Sequence, residues 1–422
     1  MNKWLTILIV IVIVIVTGIA GLVIYYYPQI RPAIGPPVAD VTKLLANANV
    51  NDNNNANATF LRSPSYGGQA NNANIANVVP ETIQPVVRGP FTILGDFQID
   101  IFAKDLNTPR VLLFDGQNNL LVSAMGEGKV YAIKSDGSKV VLASNLNSPH
   151  GLAINNGYLY IAETDKVNRY TYDSANLKLG PKEILFNLPS GAGHFTRTLQ
   201  FSPDGYLYVA VGSSCNVCRE SDKRRATILK YNPTDWTDEV FAKGLRNTVF
   251  FILNPKTKEF WGNDMGRDYL GDNSPPDDLN ILSAGKNYGW PICYGNKIND
   301  RNFDKNVYIR DPCADSVAPI YEYGAHNAPL GLTFIDSKMF PTSWQGDLLV
   351  SLHGSWNSSV PVGYKVVHLK IDGNKVTSSE DFITGFLTNS GAIGRPVDLV
   401  FGKDGILYLS DDKAGVIYKI HK

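Results

Sequence analysis

One histidine, His194, is a candidate for acid–base chemistry. The chain has only six histidines among 422 residues. His194 lies in the stretch GAGHFTRTLQFSPDGYLYVAVGSSC, shortly before an apolar run that begins at Leu199. Imidazole exchanges protons near neutral pH, so a histidine just before a strand can act as a general base. A histidine at the end of a strand can equally be a packing residue. The position of His194 alone leaves both interpretations open.

Three other segments carry polar residues near the starts or ends of predicted strands. Arg246 and Asn247 form a pair that can hold an anionic ligand by charge-assisted hydrogen bonds. Residues 263–280 are rich in the carboxylate and carbonyl oxygens that calcium prefers, without the spacing of an EF-hand. Arg395, in GRPVD, offers a second cation. A cofactor with several carboxylates would match this set, but independent surface charges would give the same residues.

The elements that must position these residues form a repeated pattern. A short apolar strand, a turn with Gly or Asp and a second strand recur six times. The six copies begin at Leu112, Leu152, Leu199, Phe250, Leu332 and Leu399. Strand groups repeated at intervals of about 40 residues or more are typical of a β-propeller. The pattern predicts an all-β fold, a six-bladed β-propeller, with long insertions after the fourth and fifth copies and functional loops at one end of the channel.

Composition agrees with a turn-rich all-β protein and argues against one class of partner. Aromatic residues make up 11% of the chain and charged residues only 18%, a balance that favours strands over helices. The 39 basic and 39 acidic residues cancel. Because nucleic-acid binding normally needs a basic face, the sequence gives no electrostatic case for a nucleic-acid partner.

The amino-terminal part predicts a membrane anchor followed by a spacer. Residues 4–27 form an apolar run without a charge, about long enough to cross a bilayer, and Lys3 precedes it. A cleaved signal peptide is the alternative. We therefore predict a transmembrane anchor at 1–30, an Asn/Ala-rich disordered linker at 31–85 and a propeller domain at 86–422. This arrangement places the domain outside the cytoplasm, at the cell surface or in the periplasm.

Four cysteines fall in the part of the chain that is predicted to be exported. An even number of cysteines in an oxidising compartment predicts disulfides. Cys215 and Cys218 would form a local bridge, and Cys293 and Cys313 would staple a polar insertion. A zinc site is the alternative, and it requires all four to converge.

From about residue 95 to its carboxyl terminus, the chain resembles the soluble quinoprotein glucose/sorbosone dehydrogenase family, particularly its sorbosone or pyranose dehydrogenase branch. The segments that carry the resemblance are GHFTRTLQFSPDGYLYVAVGSSCNVC, GLRN, MGRDYLGDNSPPDDLN, GKNYGWPICYG, APLGLTF, LHGSWN, VGYKVV and GRPVDLVFGKDGILYLSDDKAGVIYKI. Members of this family are six-bladed propellers that bind pyrroloquinoline quinone (PQQ) with calcium and oxidise sugars. The resemblance implies the same fold and the same cofactors here.

The resemblance also assigns roles around the quinone. His194 matches the family's general base, which takes the proton of the anomeric hydroxyl while hydride passes to the quinone. Arg246 and Asn247 match residues that contact the cofactor and its reactive carbonyl, where a cation stabilises developing negative charge. Arg395 matches an arginine that pairs with a PQQ carboxylate.

Metal ligands are implied in the same way. The main-chain carbonyls of Gly266 and Arg267 match the ligands of a calcium ion that bridges to the cofactor and acts as a Lewis acid. Asp277 and Asp278 fall where some members of the family have a structural calcium site.

The chain departs from the glucose-oxidising branch at two partners of the cofactor carboxylates. His353, in LHGSWN, stands where that branch has a lysine, and Val397 stands where it has a second arginine. Two partners of the cofactor carboxylates are therefore altered, and the resemblance does not imply tight specificity for glucose. His150 and His326 are interpreted as packing residues or as neighbours of the primary ligands, although either could line the same mouth.

The sequence thus predicts a membrane-anchored, extracytoplasmic, PQQ- and calcium-dependent dehydrogenase that oxidises an aldose or related sugar at the anomeric carbon. Its electrons would pass to an unidentified acceptor. Two alternatives stay open: a calcium-dependent lactonase, which would need acidic ligands at the channel centre, and a non-catalytic propeller that binds glycans or proteins.

Overall fold

The structure, a computed structural model, describes residues 83–422. The predicted anchor and nearly all of the predicted linker lie outside the described residues. Within residues 83–422 no helix is long and apolar enough to cross a membrane. The helical segments of this part are two single turns of 3-10 helix, Met125–Glu127 and Thr342–Trp344.

Six sheets, antiparallel except for one added strand in blade 3, form the blades of a propeller, which confirms the predicted fold. Blade 1 contains, from the channel outward, β4 (Pro109–Phe114), β5 (Leu120–Ala124), β6 (Lys129–Ile133) and β7 (Lys139–Ala143). Blade 2 contains, in the same order, β8 (Leu152–Asn155), β9 (Tyr158–Ala162), β10 (Lys166–Asp173) and β12 (Glu183–Asn187), with β11 (Lys178–Leu179) at the edge. Blade 3 contains β13 (Leu199–Phe201), β14 (Leu207–Val211), β15 (Thr227–Tyr231) and β16 (Asp238–Lys243), with β20 (Lys286–Asn287) added in parallel. Blade 4 contains β17 (Phe251–Leu253), β18 (Phe260–Asp264), β19 (Asp277–Leu282) and β23 (Tyr321–Gly324).

The last two blades combine strands from both ends of the domain. Blade 5 contains β24 (Pro329–Phe334), β25 (Leu348–Leu352), β26 (Lys365–Asp372) and β27 (Lys375–Thr384), extended by β2 (Phe91–Leu94) and β1 (Pro85–Arg88). Blade 6 contains β30 (Pro396–Phe401), β31 (Leu407–Asp411), β32 (Val416–His421) and β3 (Gln98–Ala103). Two short hairpins stand apart, β21 (Cys293–Tyr294) with β22 (Ile298–Asn299) and β28 (Leu387–Thr388) with β29 (Gly391–Ala392). The pairing of β3 with β32 closes the ring, because it places an early strand beside the last one.

Strand β14 shows how the sequence builds a blade. All five of its residues are buried. Leu207, Val209 and Val211 face the core shared with blade 2, while Tyr208 and Ala210 face the core shared with blade 4. This alternation gives each face of the sheet to a different neighbour. The turn before β14 contains Gly205, whose φ of 87° is in the left-handed region, and its N–H donates to Ser202.

Both predicted disulfides form in the structure, which excludes a zinc site built from four free thiolates. Cys215–Cys218 closes a short ring in the connection between β14 and β15. Cys293–Cys313 staples the long connection between β19 and β23 in blade 4. That connection is one of the predicted insertions.

Candidate active site

A cavity of about 400 Å³ opens at the end of the channel where connections between blades meet connections within blades. Most of the site residues predicted from the sequence lie on its wall: His194, Arg246, Asn247, Gly266, Asp277, His353 and Arg395. They come from separate segments of the chain, which the ring brings together. Arg267 and Asp278 do not line this cavity; they line a smaller adjoining one of about 20 Å³.

The hydrogen bonds of His194 define which of its ring nitrogens is free. Nδ1 lies 3.1 Å from the carbonyl oxygen of Ser213 and 3.0 Å from its hydroxyl. The Ser213 hydroxyl donates its only hydrogen to the carbonyl of Cys215, at 2.6 Å. Because both Ser213 oxygens then act as acceptors, Nδ1 carries the hydrogen and Nε2 keeps its lone pair. His194 is therefore prepared to accept a proton at Nε2.

Burial and nearby cations keep His194 neutral. Burial, followed by the positive charge of Arg246, lowers the pKa of His194 to about 3. Two more buried arginines reach its main chain: Nη1 of Arg197 and Nη1 of Arg225 donate to the His194 carbonyl, at 3.0 and 3.3 Å. Their charges lower the pKa of His194 further. The imidazole is thus an unprotonated base throughout the neutral pH range.

Arg246 is buried, and its guanidinium is fixed on all sides. Nε donates to the carbonyl of Asn216 and Nη1 to the carbonyl of Gly266, both at 2.9 Å. Nη2 donates to Oδ1 of Asn216 at 2.9 Å and to Oδ2 of Asp268 at 3.0 Å. Since the protein already satisfies its donors, Arg246 presents a fixed positive charge to the cavity.

Asn247 contrasts with its neighbour because its side chain is nearly free. Its Nδ2 has only a weak contact at 3.5 Å, with the sulfur of Met265. The carboxylate of Asp264 holds the main chain here, accepting from the N–H groups of Arg246 and Asn247 at 3.0 and 2.9 Å and from the Thr248 hydroxyl at 2.8 Å. The amide of Asn247 is therefore available to a ligand.

The oxygen-rich segment that connects β18 to β19, with the first residues of β19, places its side chains in two different cavities. Asp277 lies on the main cavity and accepts from the N–H groups of Gly266 and Ala328, both at 2.8 Å; burial raises its pKa to about 7. Asp278 follows it on the same strand, so its side chain points to the opposite face. Burial, with repulsion from Asp264 and Asp277, raises the pKa of Asp278, whose Oδ1 has no hydrogen-bond partner. The Arg267 side chain turns to the same smaller cavity, where it pairs with Asp300.

Arg395 and His353 form the opposite wall. The guanidinium of Arg395 donates to the main-chain carbonyls of His353 and Gly354, and among the described residues it forms no ion pair with a carboxylate. Nε2 of His353 lies 2.9 Å from Oδ1 of Asp412. Burial lowers the pKa of His353 to about 4, so it is a neutral hydrogen-bond donor to Asp412 at neutral pH.

Arg110 was missed in the sequence analysis, although it lines the cavity. Its Nη1 donates to Oδ2 of Asp412 at 2.7 Å, and its buried Nε has no partner. Burial alone raises the pKa of Asp412, but its interactions with His353 and then with Arg110 produce a net lowering. The available signal was a cation at the start of the first repeat, in TPRVLLF, comparable to Arg395 at the start of the sixth.

The remaining candidates behave differently. His150 is fully buried, with Nδ1 3.3 Å from the carbonyl of Arg197, and it does not line the cavity. His326 does line it, and its Nε2 lies 2.8 Å from the carbonyl of Gly271. Val397 is fully buried in the core. At the mouth, exposed Trp356 packs edge-on against exposed Tyr269, with ring centroids 5.8 Å apart.

Comparison with known proteins identifies related chains. A family model described as TrAA12-like matches residues 91–422. An uncharacterised protein of Borreliella burgdorferi is 31% identical over 348 residues, which are 77% of this chain and 89% of that protein. The PQQ-dependent pyranose dehydrogenase of Coprinopsis cinerea is 26% identical over 413 residues, 80% of this chain and 55% of the fungal protein. The holo form of the PQQ domain of pyranose dehydrogenase from Coprinopsis cinerea superposes with a TM-score of 0.68 at 22% identity, covering 79% of this chain and 97% of that domain.

Proposed function

The chain belongs to the TrAA12-like family, and on that premise we propose that it is a PQQ-dependent sugar dehydrogenase that oxidises an aldose or related sugar at the anomeric carbon with the assistance of calcium. The observation that carries the proposal is the neutral His194, whose free Nε2 belongs to a wall shared with three arginines. A relative named as a PQQ-dependent pyranose dehydrogenase supports the same reaction class.

The donor set of the cavity fits an aromatic cofactor with several carboxylates. Among the described residues Arg395 has no carboxylate partner, and Nε of Arg110 is buried without any partner. A cation without a carboxylate partner and a buried N–H without an acceptor are both stabilised when an anion binds them. Apolar Val249, Met265 and Leu330 add surface for a flat ring. Arg110 supplies a guanidinium that partly compensates for the arginine replaced by Val397.

PQQ, when bound, supplies the acceptor for the two electrons that leave the sugar as hydride. The residues of the chain do the rest. His194 takes the proton of the anomeric hydroxyl at Nε2, which lets the C–O bond gain double-bond character as the sugar becomes a lactone. Arg246, fixed by its hydrogen bonds, places positive charge beside the reacting atoms without reorganisation. Asn247 offers its free amide as a further donor.

Calcium fits the oxygen donors beside Arg246. The carbonyls of Gly266 and Arg267 and the carboxylate of Asp277 would hold a calcium ion at the cofactor site, and Asp278, on the smaller cavity, would be a ligand of a structural ion. Burial raises the pKa of Asp264 to about 6 and that of Asp277 to about 7. A divalent cation compensates such buried carboxylates and polarises a bound carbonyl oxygen. Arg395 and His353 would hold the cofactor at the opposite wall, with Arg110.

The test uses the full-length protein loaded with PQQ and calcium, assayed for aldose oxidation with an artificial electron acceptor. We expect His194→Ala to lower kcat/KM by about 10²–10⁴-fold while the quinone spectrum survives desalting. His421→Ala is the matched control, because His421 lies on the outer part of blade 6. Absence of both turnover and retained quinone in the wild type would refute the function; equal turnover in His194→Ala would refute the base.

We also propose that residues 86–422 form the catalytic domain, that it works outside the cytoplasm and that residues 4–27 anchor it to the membrane. The two disulfides support an oxidising compartment. Alkylation of the unreduced protein from its own cell should detect no free thiol, and fractionation should recover the chain with membranes. Four free thiols would contradict the compartment, and a wholly soluble chain would contradict the anchor.

A further inference from the structure

The Cys215–Cys218 disulfide lies beside the proposed active site rather than at the edge of a blade. It closes a four-residue ring within the connection between β14 and β15. The sequence separation of its cysteines is 3, whereas that of Cys293 and Cys313 is 20. Because the entropy that a disulfide removes from the unfolded chain grows with loop length, the short ring stabilises the fold less than the long one. Its position calls for a different explanation.

Asn216, inside this ring, uses all its side-chain polar atoms and its carbonyl on two residues of the site. Its carbonyl accepts from Nε of Arg246 and its Oδ1 accepts from Nη2, both at 2.9 Å. The same Oδ1 accepts from the N–H of Asp268 at 2.8 Å, and Nδ2 donates to the Asp268 carbonyl at 3.1 Å. Asn216 therefore fixes one edge of the Arg246 guanidinium and connects it to the loop of the next blade.

The ring also reaches His194. The carbonyl of Cys215 accepts the hydrogen of the Ser213 hydroxyl at 2.6 Å. That bond makes the hydroxyl an acceptor toward Nδ1 of His194, 3.0 Å away. One small covalent ring thus supports both the cation and the base.

We propose that Asn216 is a positioning residue for Arg246, and that the Cys215–Cys218 ring holds it in place. Arg246 is buried with its donors satisfied, so removal of the Asn216 side chain leaves one guanidinium hydrogen and the N–H of Asp268 without acceptors. The guanidinium then keeps its bonds to the carbonyls of Asn216 and Gly266 and to Asp268 but loses the acceptor that fixes its outer edge, so its position becomes less constrained. Misplacement of a charge by about 1 Å can cost about a hundredfold in rate.

The first measurement does not depend on the proposed reaction. Histidine NMR of the cofactor-free full chain follows the pKa of His194, assigned by comparison with His194→Gln. The cations around His194 are Arg197, Arg225 and Arg246, and of these only Arg246 contacts Asn216. We expect Asn216→Ala to raise the pKa of His194, because the positive charge of Arg246 becomes mobile. An unchanged pKa in the folded variant would overturn the inference.

The second measurement rests on the proposed function. In the loaded enzyme, Asn216→Ala should lower kcat about ten- to a hundredfold with a smaller change in KM. The double variant Cys215→Ser/Cys218→Ser should, like Asn216→Ala, raise the pKa of His194 and lower kcat. Asn176→Ala, at an exposed turn of blade 2, is the matched control and should leave both unchanged. An inactive wild type whose His194 pKa still responds to Asn216→Ala would refute the function but retain the positioning role.

Discussion

Arg225 acts on His194 through a hydrogen bond and through its charge. It is buried, and its Nη1 donates to the carbonyls of His194 and Gly212 at 3.3 and 3.4 Å. Those two residues are tightly packed, because a Cβ added at Gly212 would lie 2.6 Å from Cβ of His194. A glycine and a buried arginine thus fix the main chain of the base, and the arginine charge adds to the lowering of the imidazole pKa that burial and Arg246 produce.

Arg225→Gln should therefore change the pH dependence of catalysis. Removal of one positive charge raises the pKa of His194, and a base is inactive once protonated. The acid limb of kcat/KM against pH should move to higher pH, while glutamine keeps a donor for the carbonyls. Lys178→Gln, on the outer edge of blade 2, is the control of equal charge. An acid limb identical to that of the wild type would show that Arg225 is only structural.

At the scale of the elements, the first strands of the described chain complete two blades that belong to its end. β2 pairs with β27 through Thr92 and Ile93, and β3 pairs with β32. Phe91 is fully buried at this junction, with its ring centroid 4.9 Å from that of Phe386 and 5.4 Å from that of Tyr418. One side chain therefore joins the amino-terminal hairpin to blades 5 and 6.

Phe91→Ala should destabilise the ring where it closes. Loss of a fully buried phenylalanine costs about 3–5 kcal/mol, because a cavity replaces its contacts. Denaturant unfolding of the full chain should show this decrease in the free energy of unfolding. Val87→Ala removes an exposed side chain of the same hairpin and should change that free energy by less than about 0.5 kcal/mol. Similar effects of the two variants would mean that the hairpin does not stabilise the closure.

At the scale of the whole molecule, the local pattern predicted the blades better than the contacts between them. Five of the six predicted starts lie in the inner strands of the structure, and the sixth, Phe250, directly precedes its strand; the five are Leu112, Leu152, Leu199, Leu332 and Leu399. The contribution of β1, β2 and β3 to blades 5 and 6 was not predicted, because strand pairing across the whole chain leaves no local periodicity.

In the candidate site, too, the local pattern predicted single residues better than the contacts between distant segments. Residues at the entrance of a repeat, such as His194 and Arg395, follow from the repeat itself. The pairing of Arg110 with Asp412 crosses 302 residues, and the contact of Asn216 with Asp268 crosses 52. Closure of the ring brings the first pair together, and packing of blade 3 on blade 4 brings the second pair together, so sequence spacing could not reveal them.

Buried ionisable groups make the stability of the whole ring depend on pH. Burial raises the pKa of Asp277, Asp398 and Asp411 to about 7, so the folded state keeps protons that the unfolded state loses near pH 4. Their contribution to stability is fully present below pH 4 and is lost progressively as pH rises through about 7. The lowered pKa values of His194 and His353 act in the opposite direction, but only below about pH 6.5, where an unfolded histidine takes up a proton.

Between pH 6.5 and 8 the aspartates therefore act unopposed by these histidines, and the melting temperature of the calcium-free protein should fall. Calcium binds the ionised form of Asp277, so its addition should reduce this fall and a chelator should restore it.

Asp398 hydrogen-bonds the N–H of Leu112 at 2.8 Å and so joins blade 6 to blade 1 away from the proposed calcium ligands. Asp398→Asn cannot titrate, and its melting temperature should change less from pH 4 to 7 than that of the wild type. Scanning calorimetry across this pH range measures both melting temperatures. A calcium-free wild type that becomes more stable above pH 6.5 would contradict the raised pKa values of the aspartates. An Asp398→Asn melting curve that follows pH in parallel with the wild type would contradict the contribution of Asp398.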